Sequence, residues 1–438
     1  NTAGTSNVRL GVNAGNSIES GGNYNTVVGD EAGTAITTGD SNIGVGYGAV
    51  KAATTGSQNV GVGVNTLATL TTASYNTALG TSALTANTSG ANNVAVGTNA
   101  LDANTTGSRL TAVGNEALSA NTTAAFNVAV GDRALLTNTG SANNVAVGAN
   151  ALYTFNVGSG DGYNVAVGKN AGFAVTTGVQ NTLIGGLAGD AITTAVNNTA
   201  VGYLSLSANT TGATNVAVGV AALDANTTGS NNVSLGVNAL GTNTTASNNT
   251  AVGHHALYLN TTGTNNVAIG KDALDSNTTG SNNTALGVDT LQANTTASDS
   301  TALGHGALAV STGANNTAVG KYALVANTSG AGNVTLGFNA GYTTTTGGNN
   351  VYIGQYAGAH NILNTTGEKN TLVGALSDTT LVGTSGANVL GYNVSGAAGY
   401  TTIGSGSSTI RTAHGSASWA PVSDQRFKKD ITDATAGL

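Results

Sequence analysis

The residues best suited to chemistry lie near the end of the sequence, where Lys428 follows Ser423 by five positions. A serine hydroxyl needs a base to attack a carbonyl, and a desolvated lysine of lowered pKa can serve as that base. This spacing lets the two side chains meet in a turn or in the first segment of a helix. The same residues also fit a charged helix start, with Ser423 as N-cap and Asp424 near the positive helix end. Residue types alone favour the helix start.

A second candidate is a small polar and aromatic patch formed by Tyr153, Asp161 and Tyr163. Asp161 and Tyr163 belong to the segment FNVGSGDGY at residues 155–163, which interrupts a regular repeat. Insertions into repeat arrays map to loops, and such loops often carry recognition. The segment therefore predicts a small ligand-binding patch whose ligand would be a sugar. A surface bulge without a ligand is the alternative, and the sequence favours it.

The histidines do not predict a metal site. His254 and His305 occupy equivalent positions three repeats apart, which is too far for one ion, and His255 lies beside the first. We expect all three to be variable surface residues. Because the chain has no cysteine, thiolate metal sites and disulfides are excluded. The sequence predicts neither a metal ion nor a cofactor.

The composition is unusual for a globular enzyme, with 7% charged and 4% aromatic residues, 65 glycines and one proline. Disorder is also disfavoured, because 39% of the residues are hydrophobic and are placed periodically. A net charge of -7, thinly spread, argues against a nucleic-acid partner. No apolar run is long enough for a membrane span. Since Asn1 opens directly into repeat-like sequence, we expect further sequence upstream.

A repeat of 17 residues dominates the chain. The segment NNVAVGTNALDANTTG at residues 92–107 has near-copies along most of the sequence. The glycine that closes each V-x-V-G run marks the period, as at Gly80, Gly97 and Gly114. Such self-similarity is typical of a solenoid in which each repeat contacts its neighbours.

Within one repeat, the alternation predicts a short strand with Val94 and Val96 on the inner face and Ala95 on the other. Ala100 and Leu101 predict a second apolar strand, and residues 104–107 predict a closing turn. Equal repeats stack into parallel strands, with Asn and Thr ladders at the turns. The sequence therefore predicts an all-β parallel β-solenoid, or β-roll, of about 22 rungs. It would span residues 1–375, followed by an irregular Gly/Ser/Thr-rich β region at 376–422 and a distinct segment at 423–438.

Such a thin coil predicts a homotrimer. One rung supplies only about four inward apolar groups, and a repeat cannot bury its apolar face without neighbours. Three chains wound about one axis would cover a second apolar face and protect the sheet edges.

The repeat also resembles known fibrous proteins. Its N-[VTS]-x-[VLI]-G pattern is similar to the head repeats of trimeric autotransporter adhesins and to the shaft repeats of phage tail fibres. That resemblance implies trimeric β-rolls or β-helices and covers most of the chain.

The segment SDQRFKKDI at residues 423–431 resembles the start of the self-cleaving intramolecular chaperone of endosialidase-type phage tailspikes and tail fibres. The family pattern is S-D-x-R-x-K-x-x-I. The resemblance implies that Ser423 is the nucleophile and Lys428 the base, with Asp424 and Arg426 in supporting roles. It implies cleavage of the bond between Ser423 and Asp424 after trimer formation. The family's chaperone is much longer than the 15 residues that follow Ser423.

These features together predict a structural and adhesive fibre rather than an enzyme that acts on an external substrate. The first interpretation is a phage tail fibre in the virion tail, whose partners are other tail proteins and a host surface receptor, such as a glycan. The second is a trimeric bacterial adhesin or extracellular filament at the cell surface. An ice-binding solenoid is the third, because paired threonines form columns.

Overall fold

The computed structural model of the chain describes residues 4–361, 365–416, 418 and 420–421. It comprises two compact units, Asn1–Val237 and Asn238–Leu438. Both units consist of β-strands and turns, and the described residues contain no helix. The all-β class predicted from the sequence is confirmed.

Short strands recur once per rung throughout both units. The strands of the first unit are β1 Val8–Leu10, β2 Thr26–Val28, β3 Ile43–Val45, β4 Val60–Val62, β5 Thr77–Leu79, β6 Val94–Val96, β7 Thr111–Val113, β8 Val128–Val130, β9 Ser141–Ala142, β10 Val145–Val147, β11 Gly160–Asp161, β12 Val165–Val167, β13 Thr182–Ile184, β14 Thr199–Val201, β15 Val216–Val218 and β16 Val233–Leu235. Those of the second unit are β17 Thr250–Val252, β18 Val267–Ile269, β19 Thr284–Leu286, β20 Thr301–Leu303, β21 Thr317–Val319, β22 Val334–Leu336, β23 Val351–Ile353, β24 Thr371–Val373, β25 Asp378–Thr379, β26 Asn388–Tyr392, β27 Ser395–Gly396, β28 Tyr400–Ser405, β29 Ser408–Ala413 and β30 Ala420–Pro421.

The strands pair in parallel at the spacing of the sequence repeat. Val94 of β6 pairs with Thr77 of β5 on one side and with Thr111 of β7 on the other. Most residues therefore lie beside the residue 17 positions away, and the spacing differs only where a rung is longer or shorter, as between Thr301 and Thr317. The predicted parallel β-solenoid with a 17-residue rung is confirmed.

The second strand predicted for each rung is wrong. Ala100 and Leu101 lie in a turn that follows Gly97, and Asn99 and Leu101 both have left-handed backbone conformations, with φ of 55° and 54°. The rungs still pair here, because the Leu101 N–H donates to the Ala117 carbonyl of the next rung at 3.0 Å. Hydrogen bonds between rungs thus replace the regular strand ladder.

The predicted orientation of the strand is also wrong for its valines. Ala95 is fully buried, whereas Val94 is 38% exposed and Val96 is half-buried on the outer side. Leu101 does point inward and is fully buried, as predicted. The physical reason is the narrowness of the coil. The space between the strand and the turn leucine holds a methyl group in most rungs, and large aliphatic or aromatic side chains occupy the strand centre where the leucine is absent.

Those exceptions show how the interior is filled. Val27, Leu183 and Tyr352 replace the alanine at the strand centre, and all three are fully buried. In the same three rungs the turn leucine is replaced by glycine, at Gly33, Gly189 and Gly358. A methyl group on Gly358 would lie 3.0 Å from the Tyr352 ring, and one on Gly189 would lie 2.8 Å from Leu183. A large strand residue therefore occupies the volume that leucine fills elsewhere.

Asparagine ladders line the corners of the coil, as predicted. In one ladder, Asn104 Nδ2 donates to Asn87 Oδ1 at 2.9 Å, and Asn121 Nδ2 donates to Asn104 Oδ1 at 2.8 Å. A second ladder precedes the strand, where Asn59 Nδ2 donates to Asn42 Oδ1 at 3.1 Å. All these side chains are fully buried. The repeated amides thus hydrogen-bond to one another, as buried polar groups require, except that Asn121 Oδ1 has no partner.

The region that follows residue 375 still carries parallel strands. In the second unit, β24 pairs with β26 and β26 with β28, both in parallel. The pairing then reverses, because β28 and β29 form an antiparallel pair and β30 adds to β29. The short strands β25 and β27 also pair with each other in parallel. The residues from 376 to 405 therefore extend the coil with different rung lengths.

Candidate functional site

In each of the two units, the outer side of the parallel strands carries an aliphatic column, formed by the residue that precedes each rung glycine. Its side chains are half-buried or exposed in every rung. In the first unit the column consists of Leu10, Val28, Val45, Val62, Leu79, Val96, Val113, Val130, Val147, Val167, Ile184, Val201, Val218 and Leu235. In the second unit it consists of Val252, Ile269, Leu286, Leu303, Val319, Leu336, Ile353, Val373, Leu390 and Ile403. We call these residues the outer aliphatic column.

Within each unit this column forms a continuous apolar strip, because parallel strands bring equivalent side chains to about 4.8 Å from one another. The neighbouring outward position, two residues earlier, is filled mainly by valine and threonine, as at Val94 and Thr111. Large contiguous apolar surface on a folded protein typically marks a site of association. The strip can therefore bury apolar area against a matching surface.

Two of the three residues predicted for the ligand-binding patch lie together. The Tyr163 hydroxyl donates to Asp161 Oδ2 at 2.8 Å, and Asn143 Nδ2 donates to Asp161 Oδ1 at 2.7 Å. This hydrogen bond from the hydroxyl to Asp161 raises the pKa of Tyr163. The insertion is held against the preceding rung by its strand β11, which pairs in parallel with β9. Both Asp161 oxygens already have partners, so a ligand would compete with Asn143 or Tyr163.

Tyr153 lies elsewhere, in the turn that follows Leu152. Its ring stacks on Phe173 of the next rung, with centroids 5.1 Å apart and planes at 16°. Among the described residues, no hydrogen bond or ring contact connects Tyr153 with Asp161 or Tyr163. The three residues therefore do not form one patch of direct contacts, and the binding of a sugar here stays a prediction.

The histidines have neighbours that the sequence analysis missed. His254 Nδ1 and His255 Nδ1 each lie 3.9 Å from Asp272 Oδ1. The ligand atoms of these three residues are all within 4.8 Å of one another. His305 is separate and lies 4.0 Å from Asp289 through Nε2 and Oδ2. The 17-residue register was the available signal, because it places Asp272 directly beside His255 in the next rung.

The residues predicted for self-cleavage cannot be placed. Ser423, Asp424, Arg426 and Lys428 lie outside the described residues, which end with β30 at Ala420–Pro421. The proposed nucleophile and base thus stay predictions from the sequence.

The threonine turns and N-x-[ST] sequences have a structural role. Thr105 Oγ1 donates to the Thr122 carbonyl at 3.0 Å, and Thr122 Oγ1 donates to the Thr139 carbonyl at 3.1 Å. The hydroxyls of this column therefore point along the coil and bind the next rung. Asn104 and Asn226, which begin N-x-[ST] sequences, are fully buried. Neither amide is accessible to glycosylation in the folded chain.

Half-buried aspartates recur one position after the turn leucine, or after the glycine that replaces it at Gly189. Burial raises the pKa of Asp190 and of Asp224, while hydrogen bonds from nearby backbone amides act in the opposite direction. The same desolvation raises the pKa of Asp275, and the negative charge of Asp272 adds to it. These carboxylates belong to the walls of the coil.

No protein-family model and no curated protein sequence matches this chain. Among the described residues, no helix has the length and apolar character needed to cross a membrane.

Proposed function

We propose that this chain forms the shaft of a structural and adhesive fibre. The observation that carries the proposal is the outer aliphatic column, which presents valine, leucine or isoleucine at every rung of a regular solenoid. A solenoid that is stabilised rung by rung provides length, and an apolar strip along it provides a surface for lateral association.

The occupant that we propose for this strip is another copy of the same chain. Identical columns have the same spacing, so side chains of one copy match those of the next over many rungs. Three copies around a common axis can each bury the strip, and closed cyclic symmetry leaves no copy unpaired. The homotrimer proposed from the thinness of one coil thus gains support from the outward position of the valines.

Lateral association can be tested by placing charges on the strip. We expect sedimentation equilibrium of the full chain to give the mass of a trimer. A variant with Val96→Lys, Val113→Lys and Val130→Lys should sediment as a monomer, because the burial of three lysine ammonium groups per chain against an apolar strip carries a large desolvation cost. The matched control carries the same charges on exposed turn residues, as Ser89→Lys, Thr106→Lys and Thr123→Lys, and should remain trimeric. A monomeric wild-type chain, or a strip variant that still forms trimers, would refute the proposed assembly.

We propose the virion tail of a phage as the location of this fibre, with the host surface receptor and other tail proteins as partners. The S-D-x-R-x-K-x-x-I match that begins at Ser423 supports this assignment over other fibres. A trimeric bacterial surface adhesin is the second candidate, supported by the similarity of the repeat to adhesin heads. Antibodies against residues 92–107 should label the tails of intact virions. Labelling of bacterial cell envelopes without virions would support the adhesin instead.

Self-cleavage after Ser423 is part of the same proposal. In the full-length gene product, Ser423→Ala or Lys428→Ala should leave the downstream segment attached, as measured by mass spectrometry. Lys429→Ala is the matched control, because it removes a neighbouring lysine that the family pattern does not require. Normal cleavage of the Ser423→Ala protein would exclude Ser423 as the nucleophile.

A further inference from the structure

A cluster of three metal-ligating side chains lies on the turns of two successive rungs in the second unit. His254 and His255 directly follow Gly253, and Asp272 occupies the position of His255 in the next rung. The Asp272 N–H donates to the His254 carbonyl at 3.0 Å, so the backbone itself fixes the distance between the rungs at this point. The cluster is thus held by the regular pairing of the solenoid.

The imidazole rings are oriented before any ligand binds. His255 stacks on His254 with centroids 3.9 Å apart, and on Tyr258 with centroids 4.7 Å apart. His255 Nε2 also lies 3.2 Å from Asn238 Nδ2. A metal ion bound to Nδ1 would leave the proton on Nε2, and the Asn238 amide, flipped so that its oxygen faces His255, would accept a hydrogen bond from that N–H. Asn238 therefore supplies the outer hydrogen bond that metal-binding histidines usually make.

The distances leave room for one ion. The two Nδ1 atoms each lie 3.9 Å from Asp272 Oδ1. Ligands around a tetrahedral Zn²⁺ ion, with bonds of about 2.0–2.1 Å, are separated by about 3.3 Å. Small side-chain rotations would close that difference, since all three groups lie at the surface or only partly below it. Lys271 binds the other oxygen, because its Nζ lies 2.8 Å from Asp272 Oδ2.

We infer that His254, His255 and Asp272 form a binding site for a divalent transition-metal ion of the Zn²⁺ class. Two imidazole nitrogens and one carboxylate oxygen suit Zn²⁺ better than Mg²⁺ or Ca²⁺, which prefer oxygen ligands. The ion joins two successive rungs, so it acts as a cross-link in the wall of the coil. Solvent supplies the remaining ligand on the exposed side. Lys271 opposes the ion through its charge and limits the affinity.

The test uses the full chain, freed of metal by chelation, and Zn²⁺ as the titrant in isothermal titration calorimetry. We expect saturable binding of one ion per chain at this cluster and a higher thermal midpoint with Zn²⁺ present. His254→Ala, His255→Ala and Asp272→Asn should each weaken binding at least tenfold and abolish the thermal shift. The far-UV circular dichroism of each variant should match the wild type, because the side chains lie on the outer surface.

The matched control is His305→Ala. His305 occupies the same turn position as His254 and lies near an aspartate, but no second histidine adjoins it. This variant should bind Zn²⁺ as the wild type does. The proposal is overturned if the wild-type chain shows no saturable binding. It is equally overturned if the three cluster variants keep the wild-type affinity, or if His305→Ala weakens binding as much as they do.

Discussion

Replacement of one asparagine in the interior ladder should open the coil locally. Asn104 makes three buried side-chain hydrogen bonds: to Asn87 Oδ1 at 2.9 Å, to the Gly107 carbonyl at 3.0 Å, and from Asn121 Nδ2 at 2.8 Å. Each is worth about 1 kcal/mol net, and a buried acceptor that loses its donor costs about 1–3 kcal/mol more. The Gly107 carbonyl keeps its bond from Asn93. Asn104→Ala should therefore lower the free energy of opening of this rung by about 4–6 kcal/mol. The largest part comes from Asn87 Oδ1, which is left buried without a donor.

The assay is hydrogen exchange of the full chain, followed by mass spectrometry. Repeat arrays open in local units, so a loss in one rung appears in the amides of that rung and its neighbours. A cost of about 4 kcal/mol corresponds to roughly a thousandfold faster exchange in peptides covering residues 87–121. Peptides around Asn209, in the same unit, should exchange at the wild-type rate and serve as the internal reference.

Two further variants separate lost hydrogen bonds from lost volume. Asn104→Asp keeps the shape but points a second acceptor at Asn87 Oδ1 and at the Gly107 carbonyl. Burial and these acceptors should raise the pKa of the new carboxyl, so the variant is most stable at low pH. That stability should decrease as the pH rises from about 4 through the raised folded-state pKa. Thr106→Ala, at an exposed neighbour, should change exchange little. Exchange within twofold of wild type in Asn104→Ala would refute the reasoning.

Three other perturbations follow from the structure. Gly185→Ala should destabilise the chain by about 1–3 kcal/mol or more, because Gly185 has a φ of 138° and its new methyl group would meet the Gly202 backbone. Gly186→Ala meets only the Tyr203 ring at 3.6 Å and should lower the thermal midpoint much less. Burial raises the pKa of Tyr352 to about 12. The neutral Tyr352 phenol therefore stabilises the folded chain fully below about pH 10, and this contribution decreases as the pH rises toward 12. In a spectrophotometric tyrosine titration, Tyr352→Phe should remove a step near the high-pH end. Burial also raises the pKa of Asp190, which makes the folded chain favour the protonated carboxyl and lose stability as the pH rises above about 4. Asp190→Asn should therefore raise the thermal midpoint at pH 7 but not at pH 3, and an equal gain at both would contradict this cause.

The register of the solenoid could be predicted because it depends on length alone. Rungs of equal length place residue i beside residue i+17, so the parallel pairing and the asparagine ladders follow directly from the spacing. The same arithmetic places Asp272 beside His255. Sequence reasoning missed this pair because it compared histidines only with histidines and did not ask which carboxylate the next rung supplies.

The inner face of the strand could not be read from the alternation. A period of two separates Ala95 from Val94 and Val96, but it does not say which set is inside when both are apolar. Hydrophobicity ranks valine above alanine and so favours the wrong face. The decision is made by volume, because the turn leucine already fills most of the narrow interior.

The rungs of one chain also serve as an internal comparison of which positions accept change. Inside, large aliphatic or aromatic residues at the strand centre lie in rungs whose turn lacks the leucine, as the pair Leu183 and Gly189 shows against Ala95 and Leu101. Outside, the position after the rung glycine varies freely and includes Asp30, Lys271 and Phe338.

The outer aliphatic column lies only two residues before that variable position, yet in the described rungs it never carries a charged or polar side chain. Contact with solvent alone would permit the same variety at both positions. The outer aliphatic column is apolar in every described rung, whereas the position after the rung glycine carries residues of every kind. Burial of the column against a partner would require this difference. The regularity of the column therefore argues for an assembled fibre more strongly than the fold class does, since a solenoid by itself needs only its interior.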